Sequence, residues 1–314
     1  MRAAVLTSPD AAPICADFPD PEPMPGREPL RLVAAGMHQI VRSLASGTHY
    51  GSTGEYPLVV GVDAVARTAD GTLVYTGGTR APWGTMAERI VTPFDIRLPD
   101  GADPYAIAAG MNPGMSGFMP LTRHLERRGE LGTVLVVGAT GVAGRMAVQA
   151  ALALGAAGVI AAGRDSETLA GLDAVAGVQA VSIAASAAPL AEAVREATPS
   201  LVLDYVWGAA AEAAFAALAR RGMDEDDADI SYVQVGALAG SSAAVPASLL
   251  RSRRLTITGS GAGSVSMAAT YAQLPRLMTL IRDGAISVPY TAYPLDQVAA
   301  AWTHTGRTRA VVTP

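Results

Sequence analysis

The alternation of apolar and polar positions changes character along the chain. Before about residue 112, short aliphatic and β-branched runs predict strands: LRLVAAG (30–36), LVVGVDAVART (58–68), TLVYTGG (72–78) and TMAERIV (85–91), separated by Gly and Pro. Further on, TVLVV (133–137), GVIAA (158–162), LVLDYV (201–206), ISYVQVGA (230–237) and RLTITGSGAG (254–263) predict further strands. These alternate with stretches whose apolar residues recur at helical spacing, VAGRMAVQAALALG (142–155) and AAAEAAFAALARR (209–221) among them. Strand–helix alternation predicts a doubly wound parallel sheet. A helix near 266–283 leads to a closing segment, 286–314, that returns to short strands, and no internal repeat is present. The expected architecture is an α/β domain over 113–284, inserted into a β-rich domain built from 1–112 and 285–314.

The stretch VVGATGVAGRMA (136–147) sits where the first of the later strands gives way to a helix. With GVIAA following at once, it reads as a βαβ unit of about thirty residues, the context a dinucleotide fingerprint requires. In that register the fingerprint is Ala139-x-Gly141-x-x-Gly144, with Ala in place of the first glycine. Gly141 lets the backbone approach a pyrophosphate, Gly144 lets helix and strand pack closely, and the N–H groups of Thr140, Val142 and Ala143 complete the helix start. A structural turn that merely recruits glycine is the alternative.

Composition narrows the classes. Half of the residues are hydrophobic and 16% charged, which predicts a substantial core, and a net charge of −5 gives no electrostatic reason to expect nucleic acid or an anionic membrane as partner. The chain meets Asp10 too early for a signal peptide, and MAVQAALALGAAGVIAAG (146–163) is broken by Gly155 and Gly158, so a cytoplasmic protein is expected. A single cysteine, Cys15, excludes an internal disulfide and a multi-cysteine zinc site. All 23 basic residues are Arg. Without Lys there is no P-loop, no pyridoxal Schiff base and no Tyr-x-x-x-Lys pair of the short-chain dehydrogenases.

The second strand of the βαβ unit ends AAGRDSETL, placing Gly163 and Arg164 where an NAD site carries an acid for the ribose 2′-OH. Arg forms a forked, charge-assisted pair with a 2′-phosphate, which points to NADPH. Asp165 beside it either reads the ribose or caps the next helix, with Ser166 a competing cap. The acidic run DEDDAD (224–229) lacks ligand spacing and is expected to be a solvated loop.

The order of these elements resembles the medium-chain dehydrogenase/reductase superfamily, in particular its zinc-independent quinone oxidoreductase branch. The matching stretches are AAGMHQIVRSLASGTHYG, YPLVVGVDAVA, WGTMAERIV, NPGMSGF, VLVVGATGVAGRMAVQAALALGA, VQVGALAG and PLDQVAAAW. The resemblance implies a Rossmann cofactor domain inserted in a GroES-like catalytic domain, and a homodimer. It aligns His38, the neighbourhood of Asp63, and Asn112 with the catalytic zinc ligands of metal-containing relatives, a set too poor in soft donors for zinc. Without a Lewis acid, hydride transfer from NADPH to a quinone or an α,β-unsaturated carbonyl is the implied reaction. His38, Tyr50, Asp63 and Asn112 are the candidates for the acceptor pocket. Tyr50 matches a tyrosine seen near the quinone in similar enzymes and either donates to the acceptor carbonyl or packs. His38 and Asp63 form either a proton relay or a structural pair. Gly236 and Ala237, with Ser260 and Gly261, are expected on the nicotinamide side. An enoyl or ketone reductase of a biosynthetic pathway and a non-catalytic NADPH-binding redox sensor are the competing readings.

Overall fold

The structure, a computed structural model, describes residues 1–314, which form two compact units, 1–113 with 274–314 and 114–273. In the 114–273 unit the β-branched and aliphatic runs form a six-stranded sheet, parallel throughout. In spatial order its strands are Val178–Ser182, Gly158–Gly163, Thr133–Val137, Leu201–Asp204, Ile230–Gln234 and Leu255–Gly259. Counted along this unit the order is 3-2-1-4-5-6, the doubly wound Rossmann arrangement, whose reversal point lies between Thr133–Val137 and Leu201–Asp204. The two central strands are buried on both faces, which is why they read as continuous apolar runs. Phe215, Tyr232, Leu190 and Leu218 fill the core on one face; each such burial contributes about 1.5–3 kcal/mol.

The other unit carries a three-stranded antiparallel sheet, Ile14–Asp17, Arg2–Leu6 and Leu58–Val59, and a seven-stranded one. In the latter, the terminal strand Arg309–Thr313 pairs antiparallel with Leu30–Gly36, so the end of the chain completes a sheet begun near its start. Asp63–Arg67 and Leu73–Gly77 follow as an antiparallel pair next to Leu30–Gly36. No helix is long and apolar enough to cross a membrane.

The α/β fold expected from the alternation is present, with four local differences. TMAERIV forms only the two-residue strand Arg89–Ile90. LVVGVDAVART is split at Gly61, whose φ is +117° and whose added Cβ would stand 2.5 Å from the Thr85 hydroxyl. Residues 104–128, which carry Gly and Pro and fall across the expected domain boundary, form one continuous helix, Pro104–Arg128. From Ile107 to Thr122 every residue except Asn112 and Ser116 is buried, and this packing, on nearly every side of the helix, outweighs its two interior prolines and its glycines. The acidic run is the expected loop, with Asp224, Glu225 and Asp227 exposed, but one of its acids departs from that picture. Asp226 is buried and accepts from the N–H groups of Arg254 (3.1 Å) and Ala228 (3.2 Å) and from Arg253 (3.1 Å). Burial alone would push its carboxyl upward, but these donors and Arg220 hold it below the ordinary range.

Candidate functional site

The glycine turn closes the first Rossmann strand. Gly138 takes φ +90° and its N–H, like that of Ala139, donates to the Ala162 carbonyl at 2.9 Å. Gly138 therefore makes the turn that the first fingerprint glycine makes elsewhere, which leaves the fully buried Ala139 free to carry a methyl group. Gly141 is the N-cap of the helix Val142–Ala153 and is exposed; an added Cβ would meet nothing closer than the Gly138 carbonyl at 3.6 Å. At Gly144 the same atom would stand 2.2 Å from that carbonyl, so helix and strand touch through this glycine. A helix start leaves its first N–H groups without intrahelical acceptors, and here they lie on Val142, Ala143 and Gly144, just past an open Gly141.

Thr140 covers the end of the second strand. A Cβ on Gly163 would collide with the Thr140 methyl group, so a larger residue there would require the Thr140 side chain to move. Arg164 follows, exposed and outside every ion pair of the protein. Asp165 is the N-cap of Ser166–Asp173, its carboxylate accepting from the Thr168 N–H at 2.8 Å. Its carboxylate is thus committed to the helix, whereas the neighbouring guanidinium is available to a ligand.

Across the reversal point the chain is held by Asp204, which is completely buried. One carboxylate oxygen accepts from the N–H groups of Val206 and Trp207, both at 2.9 Å, and the other from the Tyr232 hydroxyl at 2.6 Å. Burial first, then the Asp204 charge, push the Tyr232 phenol far up, so it stays a donor. These bonds pin Trp207 in a left-handed conformation (φ +58°), a strained state for a tryptophan, and Tyr205 and Val206 pack over Gly138. Gly236 belongs to the same end of the sheet: its Cβ would lie 2.5 Å from the Tyr205 carbonyl. Ala237 beside it is exposed. Ser260 donates its N–H to the Gln234 carbonyl (2.8 Å), and the Gly261 N–H is taken by the Ser264 hydroxyl (2.8 Å).

The second group of candidates lies in the other unit. His38 and Asp63, at 2% and 4% exposure, are brought together: imidazole Nε2 stands 3.3 Å from a carboxylate oxygen, at an angle too poor for a hydrogen bond. The other oxygen of Asp63 accepts from the Tyr75 hydroxyl at 2.8 Å. Tyr75 escapes the sequence reading; the available signal is its register opposite Val65, two residues from Asp63 on the same face of a hairpin. Gly36 makes room for the imidazole, since a Cβ there would lie 2.3 Å from its ring. Tyr50 is 76% exposed, its ring against that of His49 at 4.1 Å, so it does not share the buried environment of the His38–Asp63 pair. Asn112 lies in the helix Pro104–Arg128 and is half-buried. No three His, Cys, Asp or Glu side chains converge in a way that could hold a metal ion.

No family model matches the sequence. A probable NADPH-dependent quinone reductase of Emericella nidulans is 29% identical over an alignment of 364 positions that covers all of both chains. Among solved structures, a mycobacterial quinone oxidoreductase has a TM-score of 0.80 at 24% identity, with both chains covered completely. The quinone oxidoreductase of Thermus thermophilus, solved also in complex with NADPH, has a TM-score of 0.77 at 26% identity, again with both chains covered completely. The fold is the one shared by these solved quinone oxidoreductases. The chain resembles the quinone oxidoreductases along its whole length.

Proposed function

We propose that the protein is an NADPH-dependent oxidoreductase that reduces an electron-poor acceptor, a quinone or an α,β-unsaturated carbonyl, without a catalytic metal. The observation that carries this reading is the pairing of an open glycine turn with an unpaired Arg164 at the end of the second strand, while Asp165 is engaged as a helix cap. The relative named as NADPH-dependent and the neighbour solved with NADPH support the same cofactor. In this reading the 114–273 unit is the cofactor domain. The N–H groups at 142–144, just past the open Gly141, hold the pyrophosphate, Gly163 and Arg164 receive the adenosine ribose and its 2′-phosphate, and Gly236, Ala237, Ser260 and Gly261 lie toward the nicotinamide. NADPH bound there supplies the hydride. The residues left to this chain are those that orient an acceptor and polarise its oxygen. The exposed Tyr50 hydroxyl is the donor offered to the carbonyl, Asn112 a second polar contact, and the buried His38–Asp63 pair the candidate proton relay, which requires the imidazole to turn into a hydrogen bond with the carboxylate.

The test is titration of wild type and Arg164→Ala with NADPH and NADH, together with turnover of NADPH against a panel of quinones and enones. A charge-assisted pair contributes about 1.5–3 kcal/mol, so Arg164→Ala binds NADPH roughly 10- to 150-fold more weakly and leaves NADH binding nearly unchanged. A wild type that prefers NADH, or a variant that keeps its NADPH preference, removes Arg164 from the site. Absence of turnover with every acceptor, despite tight NADPH binding, points to a redox sensor instead.

A further inference from the structure

A cavity of about 220 Å³, lined by apolar as well as polar groups, lies in the 114–273 unit. At ~30 Å³ for each liquid water, it has room for a small oxyanion with part of its hydration shell. One wall is a single face of the helix Pro104–Arg128, where Arg123, His124 and Arg127 recur at positions i, i+1 and i+4. The opposite wall is a sheet surface whose register puts hydroxyls side by side: Ser231 is paired with Thr256, and Thr258 is the next residue of that strand on the same face. No carboxylate lines the cavity. The nearby acid Asp229 is engaged by Arg128 and by Arg254 (3.8 Å), so Arg123 and Arg127 are left without an ion pair. His124 is 4% exposed, and its Nε2 has no hydrogen-bond partner. A buried polar group without a partner is uncommon and calls for a ligand or another specific cause.

We propose that this cavity is a binding site for a phosphate group, either inorganic phosphate or a phosphate monoester, clamped by Arg123 and Arg127 and completed by His124 and the hydroxyls of Ser231, Thr256 and Thr258. Two unpaired guanidiniums against a row of neutral donors match a tetrahedral oxyanion, which offers only acceptors. The site goes beyond the cofactor reading and is distinct from the glycine turn. The proposed ligands Ser231 and Thr256 are second residues of parallel strands, near the end where those strands begin, whereas the turn follows the end of Thr133–Val137; the cavity's far end, at Gly259, Ser260 and Ser264, adjoins the segment that the cofactor reading gives to the nicotinamide.

A bound anion also alters His124. Burial, then Arg128 and Arg127, push this imidazole below its ordinary range, with Asp229 acting in the opposite sense. An anion seated between Arg123 and Arg127 adds a negative charge to that balance and raises the imidazole pKa. For an anion of fixed charge, proton uptake by the imidazole then accompanies binding, and this contribution to affinity grows as pH falls through the range in which His124 titrates. The charged groups around the ring are Arg123, Arg127 and Arg128 on its own helix, and Asp229 and Arg254 from neighbouring segments.

The experiment is calorimetric titration, at fixed ionic strength in chloride, of wild type, the Arg123→Ala/Arg127→Ala double variant and Arg164→Ala. Inorganic phosphate and glycerol phosphate are the two probes, and the His124 imidazole signal is followed by NMR in parallel. Both replaced arginines are exposed, so the double variant keeps the fold. The expected result is a His124 signal that shifts on titration, phosphate binding about 10- to 100-fold weaker in the double variant, and binding in Arg164→Ala equal to wild type. Tighter binding of glycerol phosphate assigns the site to an ester, and equal binding assigns it to the free ion; either sustains the proposal. It is overturned if wild type binds neither probe or if the double variant binds as wild type does. Loss of binding in Arg164→Ala overturns it as well, because the phosphate then sits where the cofactor reading puts the 2′-phosphate.

Discussion

Single residues here are decided by whether their polar atoms find partners. Asp226 illustrates this: its neighbours in sequence are acidic, yet it alone of the run's acids is buried, and it survives burial through two N–H donors and two arginines. Asp226→Asn keeps the shape but weakens the charge-assisted bonds, and at pH 7 it is expected to cost about 1.5–3 kcal/mol of stability. The folded-state pKa is depressed, so this contribution is present above the unfolded carboxyl value of about 3.9 and is lost as pH falls through the folded value. Thermal unfolding of wild type and variant across pH 2–7 checks this. The two melting temperatures should converge at the acid end; a gap that persists undiminished there assigns the effect to packing rather than charge. Asp204 is held by the same logic but positions the chain at the sheet's reversal point, so its polar bonds serve the site directly.

At the scale of elements, the strand–turn–helix at 133–153 separates two uses of glycine that look alike in sequence. Gly144 is a packing glycine, with no room for a methyl group against the Gly138 carbonyl, whereas Gly141 faces open space. Gly144→Ala therefore forces helix and strand apart and is expected to lose about 1–3 kcal/mol of stability, with dinucleotide binding lost alongside. Gly141→Ala is expected to leave the melting temperature of the cofactor-free protein nearly unchanged while weakening NADPH binding, since the methyl group occupies the approach of the pyrophosphate. Melting curves and NADPH titrations of the two variants resolve this. If Gly141→Ala binds NADPH as tightly as wild type, the turn is a structural one. The helix Pro104–Arg128 shows the opposite relation between residue and element. Its Pro and Gly residues argue for a break, but burial on nearly every side between Ile107 and Thr122 overrides them.

For the molecule as a whole, the question is what performs the chemistry in a chain that has no Lys and one Cys. The buried His38–Asp63 pair presents one nitrogen ligand and one carboxylate, whereas a catalytic zinc site uses three protein ligands. Dialysis against a strong chelator is therefore expected to leave NADPH turnover unchanged, with metal content measured on the same sample. Stoichiometric zinc whose removal abolishes activity would contradict metal-independent reduction.

The features that the amino-acid sequence determined by itself are those written in local patterns. The parallel-sheet alternation, the glycine turn, the Gly163–Arg164 ending of the second strand and the competition of Asp165 for a helix cap each depend on residues a few positions apart, where backbone geometry leaves few alternatives. The strand order, with the reversal that gathers the turns at 138, 205 and 236, followed from the alternation only as a class and became definite in the register of the sheet. Tertiary structure alone decided which polar groups meet. Tyr75 reaches Asp63 across a hairpin, Tyr232 reaches Asp204 across neighbouring strands, Arg253 and Arg254 reach Asp226, and His124 faces hydroxyls more than a hundred residues further on. Such pairings leave no periodic trace, because a buried polar side chain is selected by the single partner that compensates its desolvation, and that partner can come from anywhere in the chain.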